Sequence, residues 1–348
     1  MFRFLFMLFL LAIDAQIDSE DNEVVPRCKC VPLNLCMDNN AAISGDGMLD
    51  VRVARCPNYN DVCCQKPIEE STSAPNTECG YKKHKQVAPR ILSSSDPPQY
   101  GELPWVVVLF LWSSEDGSNR YKCGGTLIHP SAVITAAHCV DDEDTRTALL
   151  MVRAGDWNVK PGEEQQNLLI SEIIIHPAYA RRSLWNDIAL IILMEPARMT
   201  ENVGLICLPP PDLQMEDVMC VAGGYGKSSK SGLHSHVLRK VDLPLVPREQ
   251  CEALLRKTRL GRFFELHESF ICAGGEHGED ACAGDGGNAL ACPIPGAEDR
   301  MLQMGIVSWG IGCGKDGVPG VYGNVPFFSQ WIDDQLTQRR LDTSVYQY

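Results

Sequence analysis

The sequence is short of positive charge: 31 Lys and Arg stand against 45 Asp and Glu, a net charge of −14 with no basic tract. Nucleic acid is thereby a poor candidate for the main partner. No apolar run reaches the roughly 20 residues that a membrane-spanning helix needs. The chain holds no Asn-x-Ser/Thr sequon, so N-glycosylation is not expected. Internal repeats and low-complexity tracts are also missing. Nor is there the shortage of apolar residues that marks disordered chains, because 45% of residues are hydrophobic and 22% charged.

Cysteine is what the sequence has in excess. Sixteen cysteines in 348 residues are too many for a reducing compartment unless they bind metal, and an even count suits disulfides. The N-terminus agrees with an oxidising destination. A short positive start, Met1-Phe2-Arg3, precedes the ten apolar residues from Phe4 to Ile13, and small Ala15 offers a cleavage point. Residues 1–15 are expected to be a signal peptide and the mature protein to be secreted and extracellular.

The cysteines fall into two groups. Six lie between Cys28 and Cys64, and ten run from Cys79 to Cys313. The intervening residues 65–78 are polar, with Pro67 and Pro75 and little to bury, and read as linker. The segment at 28–64 is too small for a sufficient apolar core and needs covalent staples. Zinc is the competing explanation, but adjacent Cys63-Cys64 and the Cys28-x-Cys30 pair lack the usual ligand spacing. Disulfides are the preferred reading.

From about Ile91 to Gln338, short apolar runs alternate with Gly, Pro and Asp. Trp105–Trp112, Ala132–Ala136, Leu168–Ile175, Ile188–Met194 and Met301–Trp309 read as strands of an all-β domain. Near the end, Phe327, Trp331, Gln335 and Leu336 recur at helical spacing. That predicts a terminal helix packing Phe327, Trp331 and Leu336 onto the sheet.

Three stretches carry chemistry when taken together: Thr135-Ala136-Ala137-His138-Cys139, Asn186-Asp187-Ile188-Ala189-Leu190, and Cys282-Ala283-Gly284-Asp285-Gly286-Gly287-Asn288-Ala289-Leu290. From His138 to Asp187 is 49 residues, and from Asp187 to Gly286 is 99. In this order, with Cys220-Val221-Ala222-Gly223-Gly224-Tyr225-Gly226, Ser308-Trp309-Gly310 and Pro319-Gly320-Val321-Tyr322, they resemble the chymotrypsin-like serine peptidase family. The resemblance covers roughly 91–338, leaving 339–348 as a tail. It implies two six-stranded antiparallel β-barrels with a C-terminal helix. It also implies His138 as general base and Asp187 as the carboxylate that orients it. The nucleophile belongs between Asp285 and Gly287, where the sequence has Gly286 and therefore no hydroxyl. Removing the serine of such a triad costs on the order of 10⁶-fold in kcat. Asn288 and Ala289 also depart from the Gly and Pro usual in the family.

Other family features are partly present. Asp280 matches the position that selects Arg or Lys in an S1-like pocket, with Gly310 and Gly320 as its open walls; use and mere inheritance of this pocket are both open. Arg90-Ile91 matches the activating cleavage bond and Asp285 the carboxylate that the new amine would meet, although Leu92-Ser93-Ser94 lacks the flexible glycines. Lys82, Lys83 and Lys85 offer other cleavage sites nearby, so residues 65–90 as a whole are expected to be a linker with candidate cleavage sites. No cofactor is implied. Asp156, Glu163 and Glu164 fall in a loop that binds calcium in some relatives, but the loop is shorter here, and carboxylates on a solvated turn are the preferred reading. The same resemblance pairs Cys123–Cys139, Cys220–Cys292, Cys251–Cys272 and Cys282–Cys313, and leaves Cys79–Cys207 as a tether to the N-terminal part.

The segment at 28–64 resembles the clip domain of arthropod serine proteases, whose pairing would join Cys28–Cys63, Cys30–Cys56 and Cys36–Cys64. A clip domain before a peptidase domain lacking its serine resembles the clip-domain serine protease homologues, a family that includes masquerade-like proteins and phenoloxidase-activating factor 2. The implied function is that of a secreted, non-catalytic cofactor or adaptor in an extracellular clip-protease cascade, above all prophenoloxidase activation in melanisation and innate immunity. The implied partners are clip-domain proteases and prophenoloxidase or other haemolymph proteins, with oligomerisation after cleavage. Two other readings stay open: an active trypsin-like endopeptidase with an unrecognised nucleophile, and a decoy that captures basic peptides or inhibitors through Asp280.

Overall fold

The computed structural model describes residues 29–32, 61–64, 78–82, 98–112, 119–142, 149–156, 165–226, 237–275, 285–312 and 314–348. The chain divides into two units, 1–74 and 75–348. In the first, β1 (Lys29–Pro32) and β2 (Asp61–Cys64) pair antiparallel, with Cys30 opposite Cys63.

The second unit is built from two closed antiparallel barrels of six strands each. The first joins β3 (Val106–Trp112), β4 (Asn119–His129), β5 (Ala132–Thr135), β6 (Leu149–Ala154), β7 (Gln166–Ile175) and β8 (Ala189–Leu193), in the order β3-β4-β5-β8-β7-β6. The second joins β9 (Met219–Gly224), β10 (Arg239–Val246), β11 (Phe270–Ala273), β12 (Ala289–Ile294), β13 (Ala297–Trp309) and β14 (Gly320–Asn324), in the order β10-β11-β14-β13-β12-β9. Closure leaves no unpaired strand edge and lets inward side chains fill each barrel. In β3, Val106 to Leu111 are all buried, because one face fills the barrel and the other is covered from outside.

Two α-helices stand among the described residues, α1 (Arg248–Arg256) and α2 (Val325–Gln338). The terminal helix is where the sequence predicts it, but its phase differs. Val325, Phe328, Ser329, Ile332 and Leu336 are buried, whereas Phe327 is 39% exposed. Apolar positions 325, 328, 332 and 336 make the inward stripe, and Phe327, one step out of phase, rests edge-on against Phe328 at 5.1 Å. Trp331 is half-buried against the core, as expected.

Four disulfides join Cys79–Cys207, Cys123–Cys139, Cys220–Cys292 and Cys251–Cys272. The expected pairs Cys282–Cys313, Cys28–Cys63, Cys30–Cys56 and Cys36–Cys64 lie outside the described residues. Cys79 is embedded by more than its sulfur. Gly80 N–H donates to Leu205 O (2.7 Å), Met301 N–H donates to Gly80 O (2.9 Å), and Arg300 Nε donates to Cys79 O (3.2 Å).

Candidate functional site

Strand pairing delivers the first two groups. Thr135, the end of β5, lies opposite Ala189, the start of β8. The chain leaving β5 makes a tight turn at Ala137–Cys139 that carries His138, and the chain entering β8 carries Asp187. The Cys123–Cys139 disulfide pins that turn to β4. Asp187 is wholly buried and spends its carboxylate on three donors. Its Oδ1 accepts from the His138 backbone N–H (2.9 Å), and its Oδ2 lies 2.7 Å from His138 Nδ1 and accepts from Ser308 Oγ (2.5 Å). A carboxylate only accepts, so Nδ1 donates to it, and Nε2 is the ring nitrogen turned toward Gly286.

The turn before Asp187 is held from the other barrel. Asn186 adopts a left-handed conformation (φ 56°), its N–H donating to Ser269 Oγ (3.1 Å) and its side-chain amide to Ala178 O (2.9 Å). Ser269 Oγ lies 2.8 Å from His267 Nδ1, and the His267 ring stacks on Trp185 at 4.6 Å. Sequence reasoning does not find Ser269 and His267, which lie about 80 residues from Asp187. Tyr179 is pushed up to about 12, first by burial and then by the negative charge of Asp187.

Opposite Nε2 the second barrel presents Gly286. A Cβ placed there would fall 2.7 Å from His138 Nε2, closer than carbon and nitrogen tolerate. The imidazole thus occupies part of the space a nucleophile side chain would fill. The backbone around it is tied to both barrels: Gly286 O accepts from Gly124 N–H (2.9 Å), and Gly287 N–H donates to Val307 O (2.9 Å). Gly287 needs its φ of +85°, and a Cβ there would strike Gly124 O and Thr135 Oγ1 at 2.4 Å.

Asn288 is buried beneath this turn. Its side-chain amide donates to Asp285 O (3.0 Å), and Val307 N–H donates to its backbone oxygen (2.9 Å). Only glycine fits at 124 beside it, because a Cβ there would meet Asn288 Oδ1 at 2.0 Å. Asp285 Oδ1 accepts from Gly226 N–H (2.7 Å). Burial pushes the Tyr121 phenol strongly up; the Asp285 charge adds to this, and a hydrogen bond with Asn288 opposes it. Tyr121 is thus part of this carboxylate's surroundings. No sequence motif marks it.

Of the pocket residues, Gly320 is buried at the start of β14, opposite Ala273, and Gly310 is exposed after β13. A Cβ at 310 would meet only Gly312 O at 3.6 Å, so that wall is open. Asp280, Arg90, Ile91, Glu163 and Glu164 lie outside the described residues, as do Lys83 and Lys85; Lys82 is exposed. Asp156, the described member of the calcium trio, is buried. Its Oδ1 accepts from Gln165 Nε2 (3.0 Å) and its Oδ2 lies 3.7 Å from Arg153, so a guanidinium already supplies positive charge there. Burial nevertheless raises its pKa above the usual carboxylate value. Among the described residues, His138 with Cys123 and Cys139 has metal-ligating atoms close together, but both sulfurs are committed to one disulfide.

The buried carboxylate, the imidazole and the glycine-rich turn lie at the meeting of two six-stranded barrels. A model described as Trypsin matches residues 93–332, and one described as Serine protease Clip domain PPAF-2 matches 19–65. The chain belongs to the clip-domain trypsin family. It is 42% identical over 308 residues to "Phenoloxidase-activating factor 2" of Galleria mellonella, covering 84% of this chain and 99% of the relative. It is 37% identical over 338 residues to "Inactive CLIP domain-containing serine protease A8" of Anopheles gambiae, covering 92% of each. The likeness extends to "Tissue-type plasminogen activator" of Rattus norvegicus, at 34% identity over 76% of this chain and 48% of that protein. Similar clip-domain proteins thus include names with and without "inactive".

Proposed function

We propose that this clip-domain family member is secreted, does not cleave peptide bonds, and acts by binding as a cofactor or adaptor in an extracellular clip-protease cascade, specifically the activation of prophenoloxidase. One observation carries the reading: His138 Nε2 faces Gly286, which supplies no oxygen to activate. An unrecognised nucleophile is disfavoured by where Ser308 spends its hydroxyl. It donates to Asp187, beyond the Nδ1 side of the imidazole and away from Nε2. The names of the relatives from Galleria mellonella and Anopheles gambiae support the cascade and the lack of activity respectively.

The partners under this reading are an active clip-domain protease and prophenoloxidase. Processing falls between Cys79 and Ile91, and assembly follows the cut. The test is reconstitution: an active clip protease and prophenoloxidase, with and without this chain cleaved in the 82–91 stretch. Phenoloxidase activity should rise only when the cleaved chain is present, and a His138→Ala form should support it equally. Equal phenoloxidase activity without the chain would overturn the cofactor role. Loss of support in the His138→Ala form, together with peptide cleavage by the unaltered protein, would favour a catalytic one.

A further inference from the structure

Residues 256–262 hold four basic side chains, Arg256, Lys257, Arg259 and Arg262, in a chain of net charge −14. Thr258, Leu260 and Gly261 interrupt them, so the sequence shows no continuous tract. The fold gathers them. After α1 ends, the chain makes two successive turns, with Gly261 N–H donating to Thr258 O (3.2 Å) and Phe264 N–H donating to Gly261 O (3.1 Å). Gly261 sits at the centre with φ +79°. The tip is stapled to the helix: Arg256 Nε donates to Phe264 O (2.8 Å) and Leu266 N–H donates to Glu252 Oε2 (3.0 Å).

Glu252 also pairs with Arg256, so that cation is neutralised within the staple. Lys257, Arg259 and Arg262 are exposed, and no carboxylate of the described residues pairs with any of them. Beside them stands Phe263, 82% exposed, with the Arg262 guanidinium 4.6 Å from its ring centre. Leu260 and Phe264 pack inward, and Phe264 meets Trp309 edge-on at 6.3 Å. Leu260 and Phe264 thereby anchor the tip to the apolar cluster around Leu255 and Phe270.

We propose that this tip docks an acidic segment of a partner protein, its carboxylates meeting Lys257, Arg259 and Arg262 while an apolar side chain covers Phe263. Arginine and an exposed aromatic ring are the residue types that anchor protein interfaces, and leaving a phenyl ring in water forgoes its burial. The overall charge selects a short protein segment over a long polyanion or an anionic membrane. Screening over about 8–10 Å lets a short segment feel only the local cations, whereas an extended anion would also meet the negative remainder of the surface. The inference rests on the binding-only reading above and names the chemistry of what is bound.

The test is selection of random short peptides displayed on phage against the intact chain, followed by titration of the enriched peptides. A variant carrying Lys257→Glu, Arg259→Glu and Arg262→Glu, and a separate Phe263→Ser variant, serve as comparisons, each checked for an unchanged thermal midpoint. Enriched peptides should combine clustered Asp or Glu with an apolar residue and lose affinity in high salt. They should bind the charge-reversed variant at least about tenfold more weakly, with Phe263→Ser weakening them separately. Absence of enriched peptides, enrichment of peptides without acidic residues, or equal binding to wild type and the charge-reversed variant would overturn the proposal. So would heparin, or vesicles of phosphatidylserine in phosphatidylcholine, displacing the peptides through the same residues. Peptidase turnover by the wild-type chain would sink the binding-only reading while leaving these titrations to stand or fall alone.

Discussion

The two barrels have treated the cleft between them differently. The first holds a hydrogen-bonded pair: a buried Asp187 with three donors, a His138 ring oriented by it, and a disulfide on the turn. The second presents to it a turn made of Gly286, Gly287 and a buried Asn288, with no hydroxyl side chain opposite His138 Nε2. The difference teaches that a hydrogen-bonded dyad is also a structural part. The wholly buried Asp187 carboxylate needs the donors it receives from the His138 backbone and Ser308 whatever happens at position 286, so folding alone can keep the arrangement.

The largest effect that sharpens this contrast is on turnover. Under the proposed reading, wild type and His138→Ala are equally inert toward Arg- and Lys-containing peptides and toward serine-directed probes. A full triad is worth on the order of 10⁶-fold, about 8 kcal/mol of barrier. Gly286→Ser alone should recover little, because its Cβ meets His138 Nε2 at 2.7 Å and the imidazole must first retreat. Adding Asn288→Gly and Ala289→Pro in a chain cut after Arg90 should do better, with an Arg or Lys preference that Asp280→Ser removes. Burst titration with an active-site label reads all of these forms. Labelling of wild type would break the contrast between the barrels.

Next comes the covalent link beside β13 of the second barrel. Cys79–Cys207 spans 128 residues and should contribute about 3–5 kcal/mol through the unfolded chain. After a cut between Cys79 and Ile91, the hydrogen bonds of Cys79 and Gly80 to Leu205, Arg300 and Met301 remain. At about 1 kcal/mol each they fall short of the 4 kcal/mol or more that release returns as translational and rotational freedom. Gel filtration should therefore show one particle without reductant and two with it. Separation of the fragments without reductant would show that the tether is not intact.

Asp187→Ala should cost about 3 kcal/mol, since it strands the His138 N–H and the Ser308 hydroxyl in a buried site. Denaturant unfolding measures this. A cost near zero would mean that the dyad is not serving the fold and that its retention needs another cause.

Much of this was legible in the sequence, for identifiable reasons. The barrels and the roles of His138, Asp187 and Gly286 are legible only through the resemblance of short motifs to a known family; the residue pattern alone reaches an all-β domain with a terminal helix. The helix was placed correctly but with Phe327 turned inward, because adjacent Phe327 and Phe328 offer two phases and only packing chooses between them. Ser269, His267 and Tyr121 went unseen because their roles arise from neighbours distant in sequence. The basic tip was hidden by interleaved Thr, Leu and Gly, which the two turns place out of the way.

The smallest effect tests whether acid sensitivity, like the dyad, belongs to the first barrel. His129 ends β4 and accepts from Ser131 N–H at Nδ1 (2.9 Å); His176 follows β7, accepts from Ala178 N–H (3.2 Å) and meets the rings of Phe328 and Trp331. Burial lowers the pKa of both, with Asp342 partly opposing this at His129. With folded values below the ordinary 6.5, the unfolded chain takes up protons first as pH falls. The stability is therefore complete above about pH 6.5 and declines as pH drops through the interval down to the folded values, by at most about 1.4 kcal/mol per pH unit for each histidine. The exposed Glu172 carboxyl, held low by its hydrogen bonds from Arg339, joins only further into acid, below the ordinary carboxylate value. Thermal midpoints measured from pH 8 to pH 5 should be flat at first and then fall. Replacing His129 with Asn and His176 with Phe should flatten the lower limb, each variant removing part of the slope. An unchanged slope in the double variant would move the acid-sensitive groups elsewhere and remove this distinction between the barrels.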